Sequence, residues 1–435
     1  MMIEAVKIIG GGLAGCEAAL YLADHDVPVT LYEMRPTCPT PVHQTGKLAE
    51  LVCSNSLKST DPNTASGLLK EEMRLLKSHL LEIAEACRLP AGSALAVDRE
   101  RFSEMVGRRI ADSTIRVVRE EYTELDGENY ERTAVALCAG PATSDGLMGS
   151  ISRFLKTSEL FFFDAVAPIV DSETIDFSHT FRADRYQEGE EGSYINLPLD
   201  EALYARFFRT LVEARTLDVP DFERKYLFER CQPIEEIART GYDALRYGPM
   251  KPVGLIDPKT NREPYAVIQL RQENAAKNLY NLVGFQTRLS WGEQKRLLRL
   301  IPALREVEIV RYGVMHRNTY LNTPRLFDAH LESKTCANLF VAGQMSGVEG
   351  YMESAVSGRI VAGQILRRIR GQSLLEYPIE TMVGALNAYI TKADPLRPMY
   401  ANFGILPPVK GKKKEIRALK SERALRVMKA FLAET

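Results

Sequence analysis

The stretch "AVKIIGGGLAGCEAALYLA" joins an apolar run to an apolar helix through a cluster of glycines. Ala5 to Ile9 reads as a buried strand, and Gly10, Gly12 and Gly15 form G-x-G-x-x-G. A helix is predicted from about Ala14 past Tyr21 and Leu22. "VPVTLYE" then reads as a second strand ending at Glu33, 18 positions after Gly15. Strand, glycine turn, helix and a late acidic residue in this order are the dinucleotide fingerprint of a Rossmann-like α/β domain. Gly10 makes the tight turn, and Gly12 lets a pyrophosphate reach backbone N–H groups at the positive end of the helix. Gly15 permits close helix–strand packing, and Glu33 accepts bonds from ribose hydroxyls. Gly10, Gly11, Gly12, Leu13, Ala14, Gly15 and Glu33 are therefore the expected cofactor-binding set. The alternative is a glycine-rich packing turn.

A second glycine turn decides which dinucleotide. "CANLFVAGQMSGVEGYMESAVSGRIVAGQIL" begins with a strand at 338–342 and ends with a small-residue helix at 354–366, with Gly343 and Gly347 between them. Two such turns more than 300 residues apart fit FAD better than NAD. The early turn holds the ADP, and the late helix N-terminus meets the flavin, where its dipole favours an anionic reduced ring. The bland reading is an ordinary strand-to-helix turn. "TAVALCAGP", at 133–141, reads as a third strand of the same sheet.

The expected organisation is a discontinuous FAD-binding domain, 1–150 and 331–435, with an inserted α+β domain at 151–330. The insertion alternates short strand-like runs with helices. It also contains paired strands with turns at 258–261 and 274–277. "TASGLLKEEMRLLKSHLLEIAEAC" reads as one amphipathic helix whose Leu and Met spacing is core packing.

A chain of 435 residues with net charge −1 is no polyanion binder as a whole, so any nucleic-acid contact must be local. One local patch exists. Between 409 and 435 nine Lys or Arg stand against three Glu. Lys410, Lys412, Lys413, Lys414 and Arg417 are the expected phosphate contacts, and a solvated helix face is the alternative. No uninterrupted apolar segment suits a membrane span and no leader-like start is present, so a cytoplasmic protein is expected. Seven cysteines without a C-x-x-C pair fit a reducing compartment. No His, Cys or carboxylate cluster has metal-ligand spacing.

The runs "GGGLAGCEAA", "LVCSNSLKS", "FERCQPIEE", "RYGPMKPVGLIDP", "YAVIQLRQEN", "LYNLVGFQT", "GEQKRLLRLIP", "VRYGVMHRNTYLN" and "LFVAGQMSGVEGYMESA" together resemble the folate- and FAD-dependent tRNA (uracil-5-)-methyltransferases. The likeness runs from residue 3 to about 410. Gly11 departs from it, because a bulkier residue is usual at that position. The resemblance implies that methylenetetrahydrofolate donates a carbon to C5 of the T-loop uridine of tRNA. It also implies that reduced FAD supplies electrons and that NAD(P)H reloads the flavin. No obligate protein partner is implied.

Uracil C5 becomes nucleophilic only after a thiolate adds at C6. The resemblance assigns that attack to Cys231, beside Arg230 and ahead of Glu235 and Glu236. It places Cys53 near the flavin. Without it, a lone cysteine reads as a small buried hydrophobe, and "CSNS" as a helix-capping loop. Cys16, Cys38, Cys87, Cys138 and Cys336 read as structural. His316 is a polar contact to flavin, folate or RNA, or a hydrogen-bonded structural residue. Glu349 and Tyr351 belong to the flavin-side loop and are expected to act through their backbone. The competing functions are a wobble-uridine-modifying tRNA flavoprotein, a flavin oxidoreductase for a small metabolite, and a flavin-stabilised RNA-binding protein without turnover.

Overall fold

The computed structural model describes residues 3–40, 42–157, 160–185, 192–217 and 232–435. Its first sheet has the strand order Leu339–Val341, Thr133–Leu137, Ala5–Ile9, Val29–Tyr32, Arg116–Val118, and every pairing is parallel. Ala5–Ile9 is central, with Ile9 in register with both Tyr32 and Leu137. An apolar strand buried on both faces needs helices on each side. One is Leu13–Ala23, which begins directly after the glycine turn, and another is Tyr351–Ile369. These two helices touch through small residues: a Cβ at Gly358 would lie 2.1 Å from the Ala14 carbonyl oxygen. The carboxyl ends of the central strand Ala5–Ile9 and the edge strand Leu339–Val341 lead to Gly10 and Gly343, at the end of the sheet where doubly wound folds hold ligands.

A three-stranded antiparallel sheet follows, ordered Ser56–Ser59, Ala94–Val97, Arg88–Leu89. The chain then runs out along Leu160–Ala165 and returns along Met315–Tyr320, the two strands forming an antiparallel pair. Between them lies a six-stranded antiparallel sheet: Phe181–Arg182, Ile195–Leu199, Ala266–Gln272, Leu279–Leu282, Ile169–Asp171, Ile309–Arg311. It has its own core, built from residues such as Ile195, Leu197, Phe207, Leu270, Leu282 and Leu298. The turn at 274–277 closes a hairpin, with Lys277 at φ +58°. At 258–261 the expected paired strands reduce to a single bridge between Asp257 and Arg262.

One expectation needs correction. The predicted helix at 64–87 is two helices, Ala65–Leu75 and His79–Ala86. Lys77, at φ +56°, ends the first, and the Ser78 hydroxyl caps the second by accepting from Leu81 N. The buried Glu17 carboxylate fastens that break by accepting from His79 N at 3.2 Å and Leu80 N at 2.8 Å.

The C-terminal basic segment is helical, as the solvated-face alternative supposes, but one side of it is packed against the protein. Ile416–Glu434 is a helix that buries Ser421, Ala424 and Met428, and the Ser421 hydroxyl donates to the Pro62 carbonyl. Lys420 and Arg423 donate to the carbonyls of Phe403, Leu406, Pro407 and Pro408, so these two cations hold the helix in place. Lys410, Lys412, Lys413, Lys414 and Arg417 remain exposed. No helix among the described residues is long and apolar enough to cross a membrane.

Candidate active site

Two clefts meet at the carboxyl ends of the parallel sheet. The first, about 960 Å³, is lined by Gly10 to Ala14, Glu33, Arg35, Gly140 to Ser144, Gly343 and Tyr351, among others. Gly10 has φ +112°, and a Cβ there would sit 2.4 Å from the Cys138 carbonyl oxygen. A Cβ at Gly12 meets nothing within 4 Å, and the helix that starts there has no side-chain cap. Its first N–H groups therefore face open space, which is the cradle that a pyrophosphate needs. The residues present fit FAD in this cleft. Gly11 explains its own departure from the resemblance: a Cβ would lie 2.5 Å from Leu48 Cδ2 and 2.9 Å from Glu33 Oε2. Gly15 does not line the cleft; its Cβ would collide with the Gly10 carbonyl at 1.9 Å, so it serves packing. Gly347, at φ +91°, also stands off the cleft and turns the chain against Leu396, whereas Gly343 lines it.

Glu33 is held by Arg35. Oε1 accepts from Arg35 N and Nε, both at 2.9 Å, and Oε2 from Arg35 Nη2 at 3.0 Å and Gly11 N at 3.2 Å. Burial alone would raise this carboxyl, but the Arg35 bonds and charge hold it below its usual value, so it is ionised at neutral pH. Four donors fill its lone-pair sites. Any further donor would have to displace one of them, and the Gly11 N–H bond, at 3.2 Å, is the longest.

The second cleft, about 1040 Å³, is lined by Cys53, Ser54, Lys58, Gln286, Asn318, Glu349 and Tyr400, and it shares Gln344, Tyr351 and Ser354 with the first. Cys53 lines the second cleft beside Val52, which lines both. Its loop is held from two directions. The Tyr351 hydroxyl accepts from Cys53 N at 2.7 Å and from Ser54 N at 3.1 Å. Burial, reinforced by the neighbouring Cys53, pushes the Tyr351 phenol up, so it stays protonated. Besides any backbone contact from its loop, Tyr351 thus holds the Cys53 loop through its side chain.

Three arginines from three elements close on the same loop. Arg99 Nη1 donates to Leu51 O at 2.6 Å. Arg311 Nη2 donates to Val52 O at 2.7 Å and Val42 O at 3.1 Å. Arg271 reaches Ser54 Oγ at 2.8 Å and Asn55 Oδ1 at 2.9 Å. Glu273 pairs with Arg99 at 2.5 Å. Burial, with Arg99 nearby, lowers the Arg311 pKa. The sequence reading missed all three. The available signal was a cation inside otherwise apolar strand runs, "VIQLRQ" and "EIVRYG".

Cys231 lies outside the described residues, which resume at Gln232. Ile234 N donates to Gln286 O at 2.7 Å, and Gln286 lines the second cleft. The buried Glu235 carboxylate accepts from Thr287 Oγ1 at 2.8 Å and Arg288 N at 2.9 Å. Ile234, three residues after Cys231 in the sequence, is thus bonded to the wall of that cleft. His316 falls in the strand Met315–Tyr320, opposite Asp164. Of the remaining cysteines, Cys16, Cys87 and Cys138 are buried, and burial pushes the Cys138 thiol up to about 12. Among the described residues no group of three or more His, Cys, Asp or Glu is arranged to hold a metal.

Comparison with known proteins agrees with this geometry. The family model described as "Glucose inhibited division protein A" matches residues 5–373. The chain is 53% identical to the methylenetetrahydrofolate–tRNA-(uracil-5-)-methyltransferase TrmFO of Thermotoga petrophila, over 99% of each chain. Its counterpart from Thermotoga maritima is 54% identical, again over 99% of both. Among solved structures, Aquifex aeolicus GidA superposes with a TM-score of 0.69 at 16% identity, over 98% of this chain and 73% of that one; this likeness is one of fold.

Proposed function

This chain belongs to the family of methylenetetrahydrofolate–tRNA-(uracil-5-)-methyltransferases, within the wider group of glucose-inhibited division protein A, and we propose how its residues carry that family's reaction. It is a flavoprotein that transfers the one-carbon unit of methylenetetrahydrofolate to C5 of a uracil in tRNA. The uridine is the one in the T loop, and NAD(P)H is the reductant. Residues 1–150 with 331–435 hold the flavin, and 151–330 present the uridine. A tRNA substrate supports a cytoplasmic location.

FAD in the first cleft supplies the two electrons that turn the transferred carbon into a methyl group. The helix at Leu13–Ala23 offers its uncapped N–H groups to the pyrophosphate, and Glu33 takes the ribose. Cys231 adds as thiolate to uracil C6, and the electron pair moves to C5, which bonds to the folate-derived methylene carbon. The carbon–nitrogen bond to folate breaks with its pair leaving on nitrogen, the C5 proton is lost, and the two electrons arriving with a proton at the methylene carbon complete the methyl group as the thiolate is expelled and the ring is restored. Cys53 lines the second cleft, through which that carbon passes. Lys410, Lys412, Lys413, Lys414 and Arg417 contact phosphates.

The observation that carries this reading is the meeting of the flavin cradle and the Cys53 cleft at Tyr351. The test is incubation of the yellow protein with unmodified tRNA, carbon-labelled methylenetetrahydrofolate and NADPH. Label should appear in 5-methyluridine of the T loop. Label confined to another nucleoside, or none in RNA, would overturn the assignment.

A further inference from the structure

The chain has one tryptophan, and 64% of its surface faces solvent. Trp291 opens the helix Trp291–Leu298 and lies nearly flat on Tyr312, with centroids 5.1 Å apart and planes 18° apart. The pair belongs to a wider apolar exposure: Val310 is 53% and Leu217 48% exposed. A large aromatic residue left in water on a folded surface loses the stabilisation that burial would give. One ring face is covered by Tyr312.

The mount is rigid. The buried Gln294 amide donates to Leu289 O at 2.7 Å and Gly313 O at 2.9 Å, and its oxygen accepts from Gly313 N at 2.8 Å. The two segments that carry the rings are thereby clasped together. Ser290 N donates to Arg215 O at 3.1 Å, which brings a third segment alongside.

Both ring-bearing segments run into the second cleft. Gln286, five residues before Trp291, lines it, and so does Asn318, six residues after Tyr312. At no more than ~3.6 Å per residue, the stack lies within roughly 20 Å of the cleft. The surroundings are mixed but lean positive. In these segments Arg215, Lys295, Arg299 and Arg305 are exposed, Arg296 pairs with Glu293, and Glu213, Glu306 and Glu308 are exposed as well.

We propose that Trp291 and Tyr312 form a stacking platform for an unpaired nucleobase of the RNA next to the target uridine. The inference rests on the tRNA reading above. An enzyme that must bring a uracil from a folded loop into a cleft leaves the neighbouring bases without stacking partners. A fixed aromatic pair beside the cleft, flanked by cations, replaces that stacking without reading sequence. Its contribution differs in kind from that of the lysines at 410–414. Stacking releases no counterions, so it does not depend on salt, whereas each phosphate contact does.

The test uses the complete flavin-bearing protein and unmodified tRNA transcript. In the wild type, emission of the single tryptophan should change saturably with tRNA and be indifferent to protein concentration alone. Trp291→Ala should bind tRNA about 5- to 100-fold more weakly, the range for loss of one base–aromatic stack. It should do so by the same factor at low and high salt, with its flavin spectrum unchanged. Trp291→Phe should recover most of the loss. Wild-type emission unaffected by saturating tRNA, or Trp291→Ala binding like wild type, would overturn the platform while leaving methylation intact. Emission that responds to protein concentration and not to RNA would place a second copy there and would also overturn it. A wild-type protein that binds no tRNA would instead bring down the reading of function itself.

Discussion

Replacing Tyr351 by phenylalanine removes one oxygen and leaves the ring packed against the sheet's core. That oxygen is the acceptor for Cys53 N and Ser54 N. A buried donor left without a partner costs about 1–3 kcal/mol. The Ser54 bond, at 3.1 Å, is the weaker of the two. Both amides are only part-buried and border the cleft, so the ordinary net worth of a hydrogen bond applies and the pair supports the loop by roughly 1–3 kcal/mol. At a factor of ten per 1.4 kcal/mol, the correctly placed Cys53 loop should be depopulated by about 5- to 140-fold, and kcat should fall in proportion. Arg99, Arg271 and Arg311 still hold the loop's flanks, so it yields locally, and the melting temperature should change far less than the activity. The flavin should stay bound, because Gly10 to Ala14 are untouched. The assay is kcat for tRNA methylation, paired with peptide-resolved alkylation of Cys53, which should quicken as the loop loosens. A Tyr351→Phe protein whose kcat and Cys53 alkylation rate both stay within twofold of wild type would refute the reasoning.

Gly12→Val should give a colourless protein, since its side chain enters the open space that the pyrophosphate needs; a variant that keeps full visible absorbance would contradict the cradle. Neutralising Lys410, Lys412, Lys413 and Lys414 together should weaken tRNA binding, with the log–log salt slope changing by roughly one per lost contact. An unchanged slope returns that segment to a solvated surface. The carboxyl of Glu72 accepts from Met382 N and Val383 N, and burial pushes its pKa up from 4.5 to about 7 despite those donors. A folded-state pKa above the unfolded one means stability present below about 4.5 and lost as pH rises through about 7. Between pH 5 and 8 the melting-temperature difference between wild type and Glu72→Gln should therefore move in favour of the glutamine variant; a pH-independent difference would oppose this.

Local signals were legible in the sequence. The turn Gly10 to Gly15 imposes its conformation through glycine alone, so its strand, helix and cleft followed from spacing. Glu33 was found by position, but its clamp by Arg35 needs the side-chain geometry. Arg271 and Arg311 stood out only as cations in apolar runs; their meeting with Arg99 was illegible because the three come from residues separated by up to 212 positions, and two of them act on backbone carbonyls, which have no sequence signature. Tyr351 was located, but its hold on the Cys53 loop was not legible, because a phenol that accepts from two amides looks in sequence like any aromatic at a helix start. The single helix expected at 64–87 failed at Lys77, where a residue with ordinary helix propensity takes a left-handed backbone. Ser78 followed by Glu82 was the available sign of a new N-terminus. Positive charge at 410–429 was read correctly as a patch, but Lys420 and Arg423 proved to be anchors, since charge counts do not distinguish a cation facing water from one capping a carbonyl.

The central claim is that Cys231 attacks uracil C6. The measurement that tests it most directly is trapping with 5-fluorouridine in the T loop. Fluorine at C5 does not leave as a proton does, so the thiolate cannot be expelled and enzyme and RNA stay joined. The account predicts a covalent complex with wild type, none with Cys231→Ala, and a full complement of flavin in both. A Cys231→Ala protein that still forms the adduct would contradict it and transfer the nucleophile's role to Cys53.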